Sequence, residues 1–128
     1  MIVLDASVAI ALLDRADAHH EASVTLLRDH LGDRLAISTL TLAEVLVRPA
    51  RVGDADRVES GLRALGVSTL PLAAHDALAL ARTRAATGLR MPDAVVVHTA
   101  QAADAAIATA DRTLADAARR RGLAVLEA

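Results

Sequence analysis

Short runs of apolar residues alternate along the chain with longer segments in which apolar residues recur every three or four positions. The short runs are typical of strands covered on both faces, and the longer segments are typical of helices. The predicted strands are residues 1–4, 35–38, 67–72, 106–110 and 123–127. The predicted helices are residues 7–13, 18–31, 40–47, 54–65, 74–87, 91–103 and 112–121.

Several predicted helices end where the sequence offers a helix stop signal, such as Pro49, Gly66 or Gly88. The regular alternation of short buried strands with helices predicts an α/β fold, a three-layer α/β/α sandwich around a mainly parallel central sheet. With 128 residues and no linker or repeat, the chain is expected to form a single domain over residues 1–128.

Composition excludes several kinds of chemistry. The chain has no cysteine, and all fourteen of its Lys and Arg residues are arginine, so thiol nucleophiles, disulfides and lysine Schiff bases are excluded. It also has no Phe, Tyr or Trp, so nucleic-acid bases cannot stack on aromatic side chains, although arginine can still contact phosphate and base. No apolar run is long enough to span a bilayer, and residues 1–4 lead directly into Asp5 without a signal peptide, so a cytoplasmic protein is expected.

Two acids directly follow predicted strands. Asp5 comes after the strand 1–4, and Asp111 comes after the strand 106–110. Because ligands in open α/β sheets bind at the carboxyl ends of the strands, both carboxylates are candidates for a site at that edge. Each is also followed by a helix, so each could serve as a helix N-cap instead.

Two further acids lie within predicted helices. Glu44 is surrounded by apolar residues in the helix 40–47, which predicts a buried helix, and a buried carboxylate needs a cation such as Arg48 or a metal ion. Asp93 lies in the first turn of the helix 91–103, where the helix dipole favours an anion. That position also keeps the ionised carboxylate available to a cation.

The order and spacing of these acids resemble a known family. The D-x-S at Asp5–Ser7, the Glu44 within an apolar helix, the M-P-D-A that contains Asp93 and the T-A-D-R that contains Asp111 resemble the PIN domain. Within that family they are similar to VapC-type toxins of bacterial toxin–antitoxin pairs. The resemblance extends over essentially the whole chain, and it implies an α/β/α sandwich around a parallel sheet.

The resemblance also implies roles for individual residues. It makes Asp5, Glu44, Asp93 and Asp111 the catalytic and metal-binding acids, with Mg²⁺ as the cofactor and Mn²⁺ as a substitute. The hydroxyls of Ser7 and Thr109 match positions that support such a site. Four arginines lie next to the acids in sequence and are candidates for contacts with RNA phosphates: Arg48, Arg51, Arg90 and Arg112.

The implied function is metal-dependent endoribonuclease activity, exerted by the toxin of a type II toxin–antitoxin pair. The resemblance further implies inhibition by a protein antitoxin of the VapB kind, and homodimerisation. Two alternatives stay open on sequence alone. One is a catalytically silent PIN-like module that binds RNA or a protein, and the other is a PIN nuclease of RNA maturation that has no antitoxin.

Overall fold

The computed structural model describes residues 1–128 and contains five strands and seven helices. The strands are β1 (Ile2–Leu4), β2 (Leu35–Ser38), β3 (Val67–Leu70), β4 (Ala106–Thr109) and β5 (Val125–Glu127). The helices are α1 (Ala6–Leu13), α2 (His20–Asp29), α3 (Thr39–Arg51), α4 (Ala55–Ala64), α5 (Asp76–Thr87), α6 (Met91–Ala103) and α7 (Arg112–Arg120). None of these helices is both long enough and apolar enough to cross a bilayer.

The strands form one sheet in the order β3-β2-β1-β4-β5, and every neighbouring pair is parallel. This confirms the predicted α/β fold with a parallel sheet. In the centre, Leu4 of β1 pairs with Ala108 of β4. The carboxyl ends of these two strands therefore lie side by side, with the residues that follow them at the same edge of the sheet.

Alternate residues of the strands point to two separate apolar cores. Ile2 and Leu4 pack with helices α1 to α4 on one face of the sheet. Val3 and Ile107 pack with α6 and α7 on the other face. Because side chains alternate across a strand, the central strands β1 and β4 supply both cores, which explains why their runs are apolar throughout.

The prediction that Pro49 ends the third helix was wrong. Helix α3 continues through Pro49 to Arg51. Pro49 lies in the last turn, so its missing N–H removes only one hydrogen bond near the end of the helix. Its carbonyl accepts hydrogen bonds from the backbone N–H groups of Val52 and Asp54, which close the turn into α4.

Gly88 makes the connection between α5 and α6 short. It is the C-cap of α5 in the left-handed conformation (φ 67°), and its N–H donates to the carbonyl of Arg84. A glycine adopts this conformation without the steric cost that a side chain would add. The chain reaches α6 three residues later, and the first turn of α6 carries Asp93.

The two-core arrangement predicts the effect of shortening a side chain in β4. Ile107 is completely buried, and Ile107→Ala should lower the free energy of unfolding by about 2–5 kcal/mol, through lost burial and a residual cavity. Urea unfolding followed by far-ultraviolet circular dichroism measures this, since the chain has no tryptophan to report on it. The control Leu78→Ala, at a side chain that is 60% exposed, should change stability by less than about 0.5 kcal/mol. Equal losses in the two variants would contradict the assigned core.

Candidate active site at the carboxyl edge of the sheet

The four predicted acids belong to four different elements that meet at the carboxyl edge of the sheet. Asp5 follows β1, and Asp111 is the N-cap of α7 after β4. Asp93 lies in the first turn of α6, and Glu44 lies in the middle of α3. Asp5 and Asp93 each raise the pKa of Glu44, and Asp5 and Asp111 each raise the pKa of Asp93. We call these four residues the acid site.

Asp5 is oriented by two hydroxyl groups. Its side chain is 7% exposed, and its Oδ2 accepts hydrogen bonds from Ser7 Oγ (2.6 Å) and Thr109 Oγ1 (2.8 Å). Although Asp5 occupies the N-cap position of α1, its side chain makes no capping hydrogen bond. The capping alternative for Asp5 is therefore wrong, and its carboxylate accepts hydrogen bonds from the two hydroxyls instead.

The directions of these two hydroxyl protons are determined by the backbone. Ser7 Oγ accepts a hydrogen bond from the N–H of Ala110 (3.0 Å), and Thr109 Oγ1 accepts one from the N–H of Asp111 (2.9 Å). Each hydroxyl has only one proton, and that proton points to Asp5. Oδ1 of Asp5 accepts no hydrogen bond, so half of this ordered carboxylate is available to a ligand.

Asp111 does act as a helix cap. Its Oδ1 accepts hydrogen bonds from the backbone N–H groups of Thr113 (2.8 Å) and Leu114 (3.3 Å) at the start of α7. Capping occupies one oxygen and leaves Oδ2 without a partner. The structural and functional interpretations of Asp111 are therefore compatible.

The expectation that Glu44 lies in a buried helix was wrong. Helix α3 buries only Thr41 and Val45, and Glu44 is exposed, together with Val47 on the same helix. Glu44 forms no ion pair and accepts no hydrogen bond, so Arg48 is not its structural partner. Desolvation by the groups that pack around its carboxyl is the largest cause that raises its pKa, and the charges of Asp5 and Asp93 raise it further.

Asp93 is half-buried and also lacks a hydrogen-bond or ion-pair partner. Burial raises its pKa, and the charges of Asp5 and Asp111 raise it further, whereas Arg90 opposes both effects. Unpaired carboxylates that disfavour one another's charge are expected to be costly unless a cation joins them.

The chemistry of these oxygen donors fits a hard divalent cation. Such ions bind to carboxylate oxygens and accept few nitrogen or sulfur ligands. The oxygens without partners are Asp5 Oδ1, Asp111 Oδ2 and both oxygens of Glu44 and Asp93. However, no three Asp, Glu or His side chains converge closely enough to form a finished ligand set. The metal site therefore remains a prediction, and it requires these exposed or half-buried side chains to turn inward.

The four candidate arginines occupy different positions relative to the acid site. Arg90, at the N-cap of α6, lowers the pKa of both Glu44 and Asp93 and so lies within electrostatic range of them. Arg48 lies beside Glu44 in a groove between helices. Arg51 and Arg112 are exposed, and neither pairs with an acid.

The sequence analysis missed a polar pair that joins α6, the helix that carries Asp93, to α5. His98 of α6 is 7% exposed, and its Nε2 lies 3.0 Å from Oδ1 of Asp76 at the start of α5. The other oxygen of Asp76 accepts a hydrogen bond from the N–H of Ala73 (2.7 Å). Twenty-two residues separate the pair in the sequence, and no local pattern indicates that the two side chains meet.

Comparisons with known proteins address the family and the fold. A family model of the PIN domain matches residues 2–120. FitAB bound to the IR36 DNA fragment has a similar chain (TM-score 0.77, 22% identity), with 99% of this chain and 94% of that chain covered. No curated protein sequence matches this chain significantly.

Two toxin-related structures are also similar. VapC20 from Mycobacterium tuberculosis, described as a Sarcin-Ricin loop cleaving toxin, has a TM-score of 0.72 and 17% identity, with 91% of this chain and 95% of that chain covered. VapBC2 from Rickettsia felis, bound to a DNA fragment from its promoter, has a TM-score of 0.71 and 16% identity, with coverage of 99% and 98%. At such low identities these similarities establish the shared fold.

The two hydroxyls around Asp5 predict a stability effect. Thr109→Val keeps the side-chain shape but removes one donor to the Asp5 carboxylate and the acceptor of the Asp111 N–H. Because hydrogen bonds to charged groups are strong, the variant should lose about 1.5–3 kcal/mol of stability in urea unfolding. Thr113→Val is the matched control, because its exposed hydroxyl makes no hydrogen bond. If both variants are equally stable, the proposed support of Asp5 is incorrect.

The raised pKa of Glu44 predicts a pH-dependent effect. The folded protein binds a proton at the Glu44 carboxylate more readily than the unfolded chain does. The stability that this proton contributes is fully present below the ordinary pKa of 4.5, and it is lost as the pH rises through the raised pKa. Glu44→Gln should therefore raise the melting temperature at neutral pH, by up to about 3 °C for a partly solvated charge. The gain should vanish near pH 3.5, about one unit below the ordinary pKa, where most of the glutamate is protonated in both states. A gain independent of pH would refute the raised pKa of Glu44 as its cause.

Proposed function

The chain belongs to the PIN domain family, and on that basis we propose that it is a metal-dependent endoribonuclease, the toxin of a type II toxin–antitoxin pair. The observation that supports this most strongly is Asp5, a buried carboxylate that two hydroxyls orient and that caps no helix. Three further acids, none of them in an ion pair, surround it. A module that only binds RNA has no evident need for this concentration of negative charge next to its ligand.

The proposed cofactor is Mg²⁺, with Mn²⁺ as a substitute, held by Asp5, Glu44, Asp93 and Asp111. Such an ion, when bound by these residues, would supply charge stabilisation at the scissile phosphate and would activate the attacking water. Asp5 is the rigid ligand in this scheme, because its orientation is determined by Ser7 and Thr109. The other three side chains complete the site from neighbouring elements.

Glu44 and Asp93 form no ion pair, so either carboxylate is free to accept a proton. One of these two residues is proposed to take the proton of the attacking water. Arg90 is the arginine best placed to bind a phosphate of the same strand, because it lies within electrostatic range of both acids and forms no ion pair.

The proposed partners are an RNA substrate, a VapB-like protein antitoxin and a second copy of this chain. Similar chains occur in FitAB and in VapBC2 of Rickettsia felis, both of which are structures bound to DNA. VapC20, a further structural neighbour, is described as cleaving the Sarcin-Ricin loop. These neighbours support a toxin that acts on RNA in the cytoplasm and is held inactive by its antitoxin.

Removing one charge from Asp5 tests the function directly. Asp5→Asn keeps the size of the side chain, but it replaces an ionised ligand by a neutral one at the best-ordered acid of the site. Cleavage of total RNA in the presence of Mg²⁺ or Mn²⁺ should fall at least about 100-fold, and chelation of the metal should stop the wild type. Quantifying new RNA 5′ ends over time measures both effects.

Asp116→Asn is the matched control for this experiment. Asp116 is exposed on α7, and its only partner is Arg119 at 3.7 Å, so cleavage should be unchanged. Undiminished cleavage by Asp5→Asn would refute the assigned acid site. No cleavage by the wild type with either metal would refute the nuclease and favour a silent binding module.

A further inference from the structure

A groove of about 410 Å³ opens next to the acid site, between α1, α3 and α4. We call it the α1–α3–α4 groove. Glu44 lines the groove and also belongs to the acid site, so the groove adjoins the site at this residue. A strand whose scissile phosphate lies at the acid site has the groove next to it on the side of Glu44.

Part of the groove lining is aliphatic. Ile10 and Val52 are 40% and 78% exposed there, and Leu13, Val45 and Val58 extend the apolar lining. A volume of this size accommodates one or two nucleobases, and it is small for a docked helix of several turns. A flat, unpaired base that packed against this exposed apolar surface would remove part of its own surface from water.

The groove also provides one free cation. Arg48 lies one turn of α3 beyond Glu44 and makes no hydrogen bond or ion pair. The other arginine of the lining, Arg57, is neutralised by Asp54 through two hydrogen bonds of 2.6 and 2.8 Å. Since the chain has no Phe, Tyr or Trp and the groove lining has no His, the planar guanidinium of Arg48 is the group best suited to stack on a base there.

We propose that the α1–α3–α4 groove binds the unpaired base of the nucleotide adjacent to the scissile phosphate and so contributes to the choice of cleavage site. This inference rests on the proposed function, because it assumes an RNA strand at the acid site. When a divalent ion neutralises Glu44 and Asp54 is paired with Arg57, the remaining charges of the lining are Asp14 and Arg48, which cancel. The groove then does not repel an RNA strand.

The absence of Phe, Tyr and Trp provides a clear test by nuclear magnetic resonance. Ring-current shifts of methyl groups in the groove must come from an added aromatic ligand, since no lining residue has an aromatic ring. The four nucleoside 5′-monophosphates, added singly with Mg²⁺ to methyl-labelled protein, should shift the methyl resonances of Ile10, Val52 and Val58. Methyl groups outside the groove, such as those of Val47 and Leu78, should not shift. The absence of groove-confined shifts up to about 10 mM nucleotide would overturn the inference.

A pair of variants connects the groove to cleavage. Val52→Asp places a charge on the wall of the groove, and Val47→Asp places the same charge on an exposed position of α3 outside it. Both sites are exposed, so both variants should fold, as melting curves will show. Val52→Asp should reduce the preference among bases at mapped cleavage sites about tenfold, the low end of what apolar pockets contribute to discrimination. Val47→Asp should keep the wild-type preference.

The outcomes separate this inference from the proposed function. RNA cleavage with unchanged base preference in Val52→Asp and no methyl shifts would refute the groove as a base site while the nuclease stands. Methyl shifts without any cleavage by the wild type would refute the nuclease while the base site stands. Methyl shifts with a basic, non-aromatic peptide but with none of the nucleotides would show that the groove binds protein, and would overturn the inference.

Discussion

The mutual repulsion of four carboxylates at one edge of the sheet is the constraint on which the rest of the site depends. β1 and β4 are adjacent and parallel, so the acids that follow them cannot move apart without disrupting the sheet. The N–H of Asp5 donates to the carbonyl of Ala108 (2.9 Å), and its carboxylate accepts from Thr109 of the same neighbouring strand. The same contacts that align the central strands therefore fix the negative charge of Asp5 close to the other acids of the site.

The neighbours of Asp5 respond to this fixed charge in different ways. Asp111 uses one oxygen as a helix cap, whereas Glu44 and Asp93 have no partner and raised pKa values. Arg90 reduces the repulsion at both unpaired acids, yet it forms no ion pair with either. A cation that joined these acids would relieve the repulsion, as the proposed metal-dependent nuclease requires.

Much of the fold could be predicted from the sequence, because short apolar runs and helix stop signals are local. The parallel sheet and the positions of Asp5 and Asp111 follow from those patterns. The exposure of Glu44 could not be predicted, since α3 has apolar residues on several sides and only the packed structure shows that Thr41 and Val45 face inward. The sequence also could not predict the pairing of His98 with Asp76 or the presence of the α1–α3–α4 groove, because both depend on how helices that are distant in sequence pack together.

The need for a cation at the acid site is the central claim, and direct titration with Mn²⁺ tests it without knowledge of the RNA target. Isothermal titration calorimetry of the wild type should show saturable Mn²⁺ binding, accompanied by a higher melting temperature. Asp93→Asn, which removes an unpaired acid of the site, should weaken both effects at least about tenfold. Undetectable binding to the wild type, or equal binding to both proteins, would contradict the account.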